Sequence, residues 1–229
     1  MLAFEAPLRV AILEDHPPIV DGYRYRLSDP ARFEIVGVAS VGEDLEPLLA
    51  AHPTDVLLLD VSVPTSAENR NPYPILTVLP RLLQAHPSLV IIVITMHAES
   101  SLIRAMMRAG ASGYLLKDDQ DNLQRLADVV RGAARGDICL SAQAYALWKR
   151  RSTDALEPVT QRQSEVLSLC AAYPDATTYE LAARLNIAPS TLRNLLSGAY
   201  LRLGVSTRAG AVAEARRRSL ITPYPPPAP

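Results

Sequence analysis

Four short apolar runs, each closing on a polar residue, organise the first half of the chain. Leu8-Arg9-Val10-Ala11-Ile12-Leu13 ends at Glu14-Asp15, and Val56-Leu57-Leu58-Leu59 ends at Asp60. Leu89-Val90-Ile91-Ile92-Val93-Ile94 ends at Thr95, and Tyr114-Leu115-Leu116 ends at Lys117. Continuous apolar runs without helical alternation read as parallel strands buried on both faces. Between them, segments near 18–28, 43–51, 75–85, 99–109 and 120–135 place apolar side chains three or four apart, the helical period. Strand and helix alternate five times, which predicts an α/β fold with a five-stranded, parallel, doubly wound sheet. Ligands of such sheets bind beyond the carboxyl ends of the strands. Glu14, Asp15, Asp60, Thr95 and Lys117 are therefore expected to converge at one sheet edge.

The rhythm breaks at about 137. Residues 137–158 read as a helix-containing linker, and a purely helical pattern follows over 159–219. Thr160 with Gln163, and Thr177 with Glu180, have the spacing of capping boxes that open two helices. Ile187-Ala188-Pro189 reads as a turn with Ser190 capping a third helix, and Gly204 suits that helix's C-terminus. A fourth helix is expected near 207–218. Residues 220–229, rich in proline, read as a disordered tail.

Composition adds little except where charge is uneven. The net formal charge is -1 and hydrophobic residues make up 48% of the chain, ordinary for a globular protein. Residues 1–150 hold 14 basic and 18 acidic side chains, whereas residues 156–218 hold 8 basic and 5 acidic. An acidic front and a basic rear suggest different partners for the two halves. Cys139 and Cys170 form no CxxC pair and have no surrounding zinc ligands, as expected of two reduced thiols. No signal-peptide pattern opens the chain, and no stretch approaches the roughly 20 apolar residues of a membrane helix. A soluble, cytoplasmic protein with no membrane partner is the expectation.

The strand-end residues suit phosphorylation of an aspartate. A carboxylate attacks a phosphoryl group poorly because the charges repel. Mg2+ reduces that repulsion and prefers oxygen ligands, including one or two carboxylates. Asp15 and Asp60 can ligate it, Glu14 directly or through water, and the Ser62 backbone carbonyl can add another oxygen. Asp60 is then the nucleophile. Lys117 can pair with the phosphoryl oxygens, and the Thr95 hydroxyl can donate to one. Each group taken alone is an ordinary strand-end residue; the constellation carries the reading.

Glu14-Asp15-His16-Pro17, Asp60 followed by Pro64, Thr95-Met96-His97, and Ala109-Gly110-Ala111-Ser112-Gly113-Tyr114-Leu115-Leu116-Lys117-Asp118 together resemble the receiver domain of two-component response regulators. The resemblance covers about 8–135 and implies a flavodoxin-like receiver over 1–136. It also implies a switch role for Thr95 and Tyr114, although Tyr114 could be a static core aromatic. The interval of 35 from Asp60 to Thr95 is long for the family. The excess falls in Thr65-Ser66-Ala67-Glu68-Asn69-Arg70-Asn71-Pro72-Tyr73-Pro74, read as a lengthened loop that is either a bland surface insertion or a modifier of access to the pocket. Phosphatases of the haloacid-dehalogenase type share the Asp, Thr and Lys. Their general acid, two residues beyond the nucleophile, is here Ser62, so turnover has no evident proton donor and no enzyme is expected.

Residues 160–217 resemble the LuxR-type helix-turn-helix of NarL/FixJ regulators. The matching text runs Pro158 to Leu167, Tyr179 to Ile187, Pro189 to Asn194, Tyr200 to Val205 and Arg208 to Val212. In such motifs the second helix enters the major groove. Arg193, Asn194 and Ser197 would face the bases, where Arg reads guanine and Asn reads adenine. Ser190, Thr191, Arg202 and Arg208 are candidates for phosphate contacts, and Thr191, Leu192 and the later apolar residues can face inward. Relatives often carry Lys and His where this chain has Arg193 and Leu195, and a basic residue where it has Ser197. Gly198 sits inside the recognition helix at a cost of roughly 1 kcal/mol relative to Ala. Residues 207–218 could form a dimer helix or a core helix.

The combined resemblance implies a response regulator of the NarL/LuxR type. A sensor histidine kinase would phosphorylate Asp60, and the active homodimer would bind double-stranded DNA to regulate transcription. The alternative is a phosphorylation-independent DNA-binding regulator with a vestigial pocket.

Overall fold

The structure, a computed structural model, describes residues 6–149, 159–205 and 207–223. The first unit is a parallel sheet. Strands β1 (Leu8–Leu13), β2 (Phe33–Ala39), β3 (Val56–Leu59), β4 (Val90–Thr95), β5 (Gly113–Leu116) and β6 (Cys139–Leu140) lie in the order β2-β1-β3-β4-β5-β6. Four of the strands, β1, β3, β4 and β5, follow the apolar runs. Helices α1 (Pro17–Arg26), α2 (Leu45–Ala51), α3 (Ile75–Ala85), α4 (Ser100–Arg108), α5 (Gln120–Gln124) and α6 (Leu126–Ala134) provide the crossovers.

The period-two geometry of the strands explains why these runs are apolar throughout. Ala11, Leu13, Leu57, Leu59, Ile91, Val93 and Tyr114 face one core with residues of α2, α3 and α4. Their alternates Val10, Ile12, Val56, Leu58, Ile92 and Leu115 face a second core with Val20 and Tyr23 of α1 and Leu126 and Val130 of α6. Both faces are covered, so neither can be polar.

Three features differ from the sequence reading. The expected sheet of five strands gains a sixth, because Cys139 N donates to the Ser112 carbonyl and Ser141 N to the Tyr114 carbonyl, at 3.0 and 3.1 Å. A two-residue strand is too short to leave a periodic signature. Helix α7 (Ala142–Lys149) then packs on α4 and β5, and Ser100 Oγ donates to the Leu147 carbonyl at 2.7 Å. The start of the segment read as linker is thus part of the first unit; residues 150–158 lie outside the described residues. The single helix expected over 120–135 is divided at Arg125, whose backbone leaves the helical region at φ -97° and ψ 20°.

The second unit comprises α8 (Gln161–Ala172), α9 (Thr178–Arg184), α10 (Pro189–Leu203) and α11 (Arg208–Arg217). Both capping boxes form, Thr160 with Gln163 and Thr177 with Glu180. The turn between α9 and α10 is a left-handed cap at Asn186 (φ 51°), with Asn186 N and Ile187 N returning to the Ala183 and Ala182 carbonyls. Gly204 ends α10 at φ 71°, and Thr207 caps α11 by accepting from Gly210 N at 3.0 Å. Ser190 is not the cap of α10. The helix begins one residue earlier, at Pro189, whose fixed φ suits the first helical position. Nor is 220–229 wholly a tail: Ser219 (φ 52°) turns the chain back after α11 and Ile221 is fully buried in the helical core. Residues 224–229 lie outside the described residues.

Candidate functional site

The sheet brings Glu14, Asp15, Asp60 and Lys117 to one edge. Asp60 follows β3 and Glu14 follows β1, and Asp60 N donates to the Leu13 carbonyl at 2.9 Å. Lys117 follows β5, and its amide donates to the Thr95 carbonyl at 2.9 Å. Hydrogen bonds between adjacent parallel strands therefore place all four chain ends side by side.

The Lys117 ammonium bridges two carboxylates, 2.7 Å from Glu14 Oε2 and 2.8 Å from Asp60 Oδ2. Glu14 and Asp60 are both buried. Burial, then the neighbouring Asp60 charge, pushes the Glu14 carboxyl above the ordinary carboxylate range, and Lys117 offsets only part of this. Burial alone would pull the Lys117 ammonium down, but Asp60 and Glu14 outweigh it and hold Lys117 above its ordinary value. Two carboxylates and one ammonium leave excess negative charge, which a divalent cation would balance.

Carboxylate oxygens of Glu14, Asp15 and Asp60 and a ring nitrogen of His16 lie within 4.8 Å of one another. Glu14 Oε2 and Asp15 Oδ1 are buried and, despite their ion-pair neighbours, accept no aligned hydrogen bond. Three carboxylates gathered at one point offer the oxygen ligands that a hard cation such as Mg2+ prefers, with the His16 ring nitrogen beside them. Ser62 N donates to Asp60 Oδ1 at 3.2 Å, curling the loop after β3 around the carboxylate.

A second layer was missed by the sequence reading. His97 is buried, and its Nε2 lies 2.9 Å from Ser62 Oγ. Its Nδ1 lies 3.5 Å from Glu99 Oε2, and this bond holds the Glu99 carboxyl below its ordinary range. Tyr114 Oη donates to the His97 carbonyl at 2.8 Å, while His97 N reaches Thr95 Oγ1 at 3.5 Å. Thr95 and Tyr114, the two expected switch residues, thus meet at His97. The sequence held two hints: Thr95-Met96-His97 belongs to the receiver resemblance, and alternation puts Thr95, His97 and Glu99 on one side of an extended chain.

The helical unit places the expected DNA-contacting residues on α10, except Arg208, which opens α11. The side chains of Ser190, Arg193, Asn194 and Ser197 lie outside the described residues. Thr191 is exposed rather than inward-facing, and Leu192, Leu196, Ala199 and Leu203 supply the buried face. Helical spacing explains the division: these four residues recur at the period of one stripe, which Thr191 misses. Arg202 Nη1 donates to Gln163 Oε1, and Arg208 Nη1 donates to the Ala176 carbonyl at 2.7 Å. Both arginines brace the domain through these bonds. Gly198 is explained by close approach, since a Cβ there would lie 2.5 Å from Gln163 Nε2. On α11, Ala211 and Ala215 are buried in the helical core.

Comparison with known proteins agrees with this architecture. A family profile described as the response regulator receiver domain matches residues 10–128. The chain is 30% identical over 206 residues to the probable transcriptional regulatory protein SgaR of Hyphomicrobium methylovorum, covering 90% of this chain and 91% of that protein. It is 30% identical over 224 residues to the probable transcriptional regulatory protein NarL of Mycobacterium tuberculosis, covering 93% and 96%. Among solved structures, the RcsB–DNA complex of a two-component response regulator aligns with a TM-score of 0.56 at 25% identity, covering 91% of this chain and 97% of that one. RcsB of Salmonella typhimurium aligns equally well at 23% identity, a likeness of fold. Among the described residues no helix is long and apolar enough to cross a membrane.

Proposed function

The chain belongs to the response regulators, in their NarL/LuxR branch of transcription regulators, and from that premise we propose that it is switched by phosphorylation of Asp60. The observation that carries the proposal is the Lys117 ammonium shared between the buried carboxylates of Glu14 and Asp60. A lysine so placed is ready to exchange one carboxylate oxygen for a phosphoryl oxygen.

Glu14, Asp15, Asp60 and the Ser62 backbone carbonyl would hold Mg2+, which supplies neutralisation of the phosphoryl charge when bound. An Asp60 carboxylate oxygen forms the new bond to phosphorus as the bond to the histidine nitrogen of a sensor kinase breaks. Lys117 pairs with the phosphoryl oxygens, and the Thr95 hydroxyl donates to one of them. Movement of Thr95 is felt at His97 and hence at the Tyr114 hydroxyl. The two arrangements differ in their contacts with the phosphoryl group, and phosphorylation shifts the population between them.

The output is binding of double-stranded DNA by a homodimer. Arg193, Asn194 and Ser197 are assigned to base edges, and Ser190 and Thr191 to phosphates. Arg202 and Arg208, which also brace the domain, are assigned to phosphates as well. The excess of three positive charges over residues 156–218 is small, so affinity depends on pairing two copies on adjacent half-sites.

Acetyl phosphate or beryllofluoride with Mg2+ tests this reading. Intact mass should show one added phosphoryl group in the wild type and none in Asp60→Asn, and activation should raise both dimer fraction and operator affinity. If Asp60→Asn equals wild type in every readout, the protein is instead a phosphorylation-independent regulator.

A further inference from the structure

The insertion at 65–74 supplies none of the carboxylates or the lysine of the pocket, yet it is firmly built. Its two sides pair, with an antiparallel bridge between Pro64 and Pro72. Thr65 N and Thr65 Oγ1 both donate to the Asn71 carbonyl, at 2.9 and 2.8 Å. Tyr73 N donates to the Val63 carbonyl, and Tyr73 is buried. The base is clamped from the other side by Gly42 N to the Pro64 carbonyl and Glu43 N to the Thr65 carbonyl, at 2.8 and 3.0 Å. At the tip, Asn69 Oδ1 accepts from Asn71 N and Asn71 Nδ2. That arrangement leaves amide N–H groups of both side chains facing outward.

Both point at the same atom. Asn69 Nδ2 and Asn71 Nδ2 donate to the Ala172 carbonyl at 2.7 and 3.1 Å. Ala172 is the last residue of α8, and the last carbonyls of a helix have no partner within it. The loop of the first unit thus caps the opening helix of the second. The amide orientations follow from the chemistry, since a carbonyl oxygen accepts only from the nitrogen end. Adjacent contacts widen the patch: Tyr173 Oη donates to Glu43 Oε1 at 3.0 Å, with the Arg184 guanidinium 3.8 Å above the Tyr173 ring. Thr77 Oγ1 of α3 donates to Ser168 Oγ of α8 at 2.9 Å. A smaller contact, Ser101 Oγ to Ser219 Oγ at 2.8 Å, ties α4 to the end of the helical unit.

We propose that the 65–74 insertion is a docking surface for this chain's own helical domain, recognising the C-terminal carbonyl of α8 through Asn69 and Asn71. The hydrogen bonds across the contact are polar, in keeping with the polar character of interfaces between domains of one chain. It grips α8 and leaves Thr191 on α10 exposed. The strap therefore restrains where the domain sits, and with it the pairing of two copies on DNA, without masking this part of the recognition helix. Its root, Val63, lies three residues beyond Asp60, and Ser62 N is bonded to the Asp60 carboxylate. Resting on the reading of Asp60 as phospho-acceptor, phosphorylation shifts that root and weakens the grip at the tip.

The test uses the full chain. Small-angle scattering and operator affinity are measured for wild type, Asn69→Ala/Asn71→Ala and Tyr173→Phe, with and without beryllofluoride and Mg2+. Loss of the two asparagine bonds should shift the docked–undocked equilibrium by about tenfold, seen as a larger radius of gyration and tighter operator binding without activation. Tyr173→Phe keeps the ring under Arg184 and should act in the same direction by about threefold. Acetyl phosphate labelling should be unchanged in both. Scattering identical to wild type in both variants overturns the strap. Variants that open while beryllofluoride leaves wild-type scattering unchanged overturn the link to Asp60. A wild type that takes up no phosphoryl group overturns that link and the phospho-acceptor reading, and leaves the strap to be decided by the variants' scattering alone.

Discussion

Tyr114 Oη donates a 2.8 Å hydrogen bond to the backbone carbonyl of His97, and both residues are buried. The bond joins β5 to the segment just after β4. It gives the Tyr114 hydroxyl the partner that a buried phenol requires, while burial holds the phenol well above its ordinary pKa. Tyr114→Phe removes the donor and leaves the His97 carbonyl without it in the interior. The expected cost is about 1–3 kcal/mol in urea unfolding of the sheet domain. A change below about 0.5 kcal/mol would show that this bond does not hold the segment.

Lys117→Met should be more severe. It leaves Glu14 and Asp60 buried without their shared cation, a loss on the order of 3–5 kcal/mol at neutral pH, and it should abolish labelling by acetyl phosphate. The acid side provides the check on cause. The Glu14 carboxyl already lies above its unfolded value through burial and the Asp60 charge, so the folded state holds its proton more tightly. Stability falls as pH rises from the ordinary carboxylate range through the raised value. Removing Lys117 extends that window upward. The variant's deficit should therefore shrink on acidification, and a pH-independent deficit would point to lost packing.

Glu214 gives the opposite sign. Arg217, then Arg218, hold its carboxyl at about 2. A depressed acid adds stability above its unfolded value and loses it as pH falls toward about 2. Arg217 is largely exposed and screened, so Glu214→Gln should cost about 1 kcal/mol or less near neutrality. Thermal unfolding of the helical domain should show the difference from wild type closing in acid.

Gly198→Ala separates local propensity from packing. Propensity alone expects a gain of about 1 kcal/mol. The structure opposes it, because the new Cβ would meet Gln163 Nε2 at 2.5 Å. Gln163 also accepts from Thr160 N in the α8 capping box and from Arg202. Displacing it should cost about 1–2 kcal/mol, leaving the variant no more stable than wild type. A raised melting temperature would show that Gln163 moves aside freely.

How far the sequence could be read depended on the range of the interactions. Both capping boxes were legible because Thr160–Gln163 and Thr177–Glu180 are three residues apart and need no outside partner. Ser190 was misread as a cap because Pro189 is equally local and competes for the helix start. The sixth strand escaped notice because Cys139–Leu140 is two residues long and carries no periodic pattern of its own; only its pairing with β5 defines it.

By itself, the order of amino acids determined the doubly wound sheet and the residues at its carboxyl edge. Strands buried on both faces must be apolar throughout, and the first polar residue after each run marks where the strand leaves the core. Tertiary structure alone decided the layer behind that edge, where His97 joins Ser62, Glu99, Thr95 and Tyr114. It also decided the meeting of Asn69 and Asn71 with Ala172, about a hundred residues away. Polar contacts of a few ångströms between distant segments leave no periodic trace, because they depend on where whole elements come to rest.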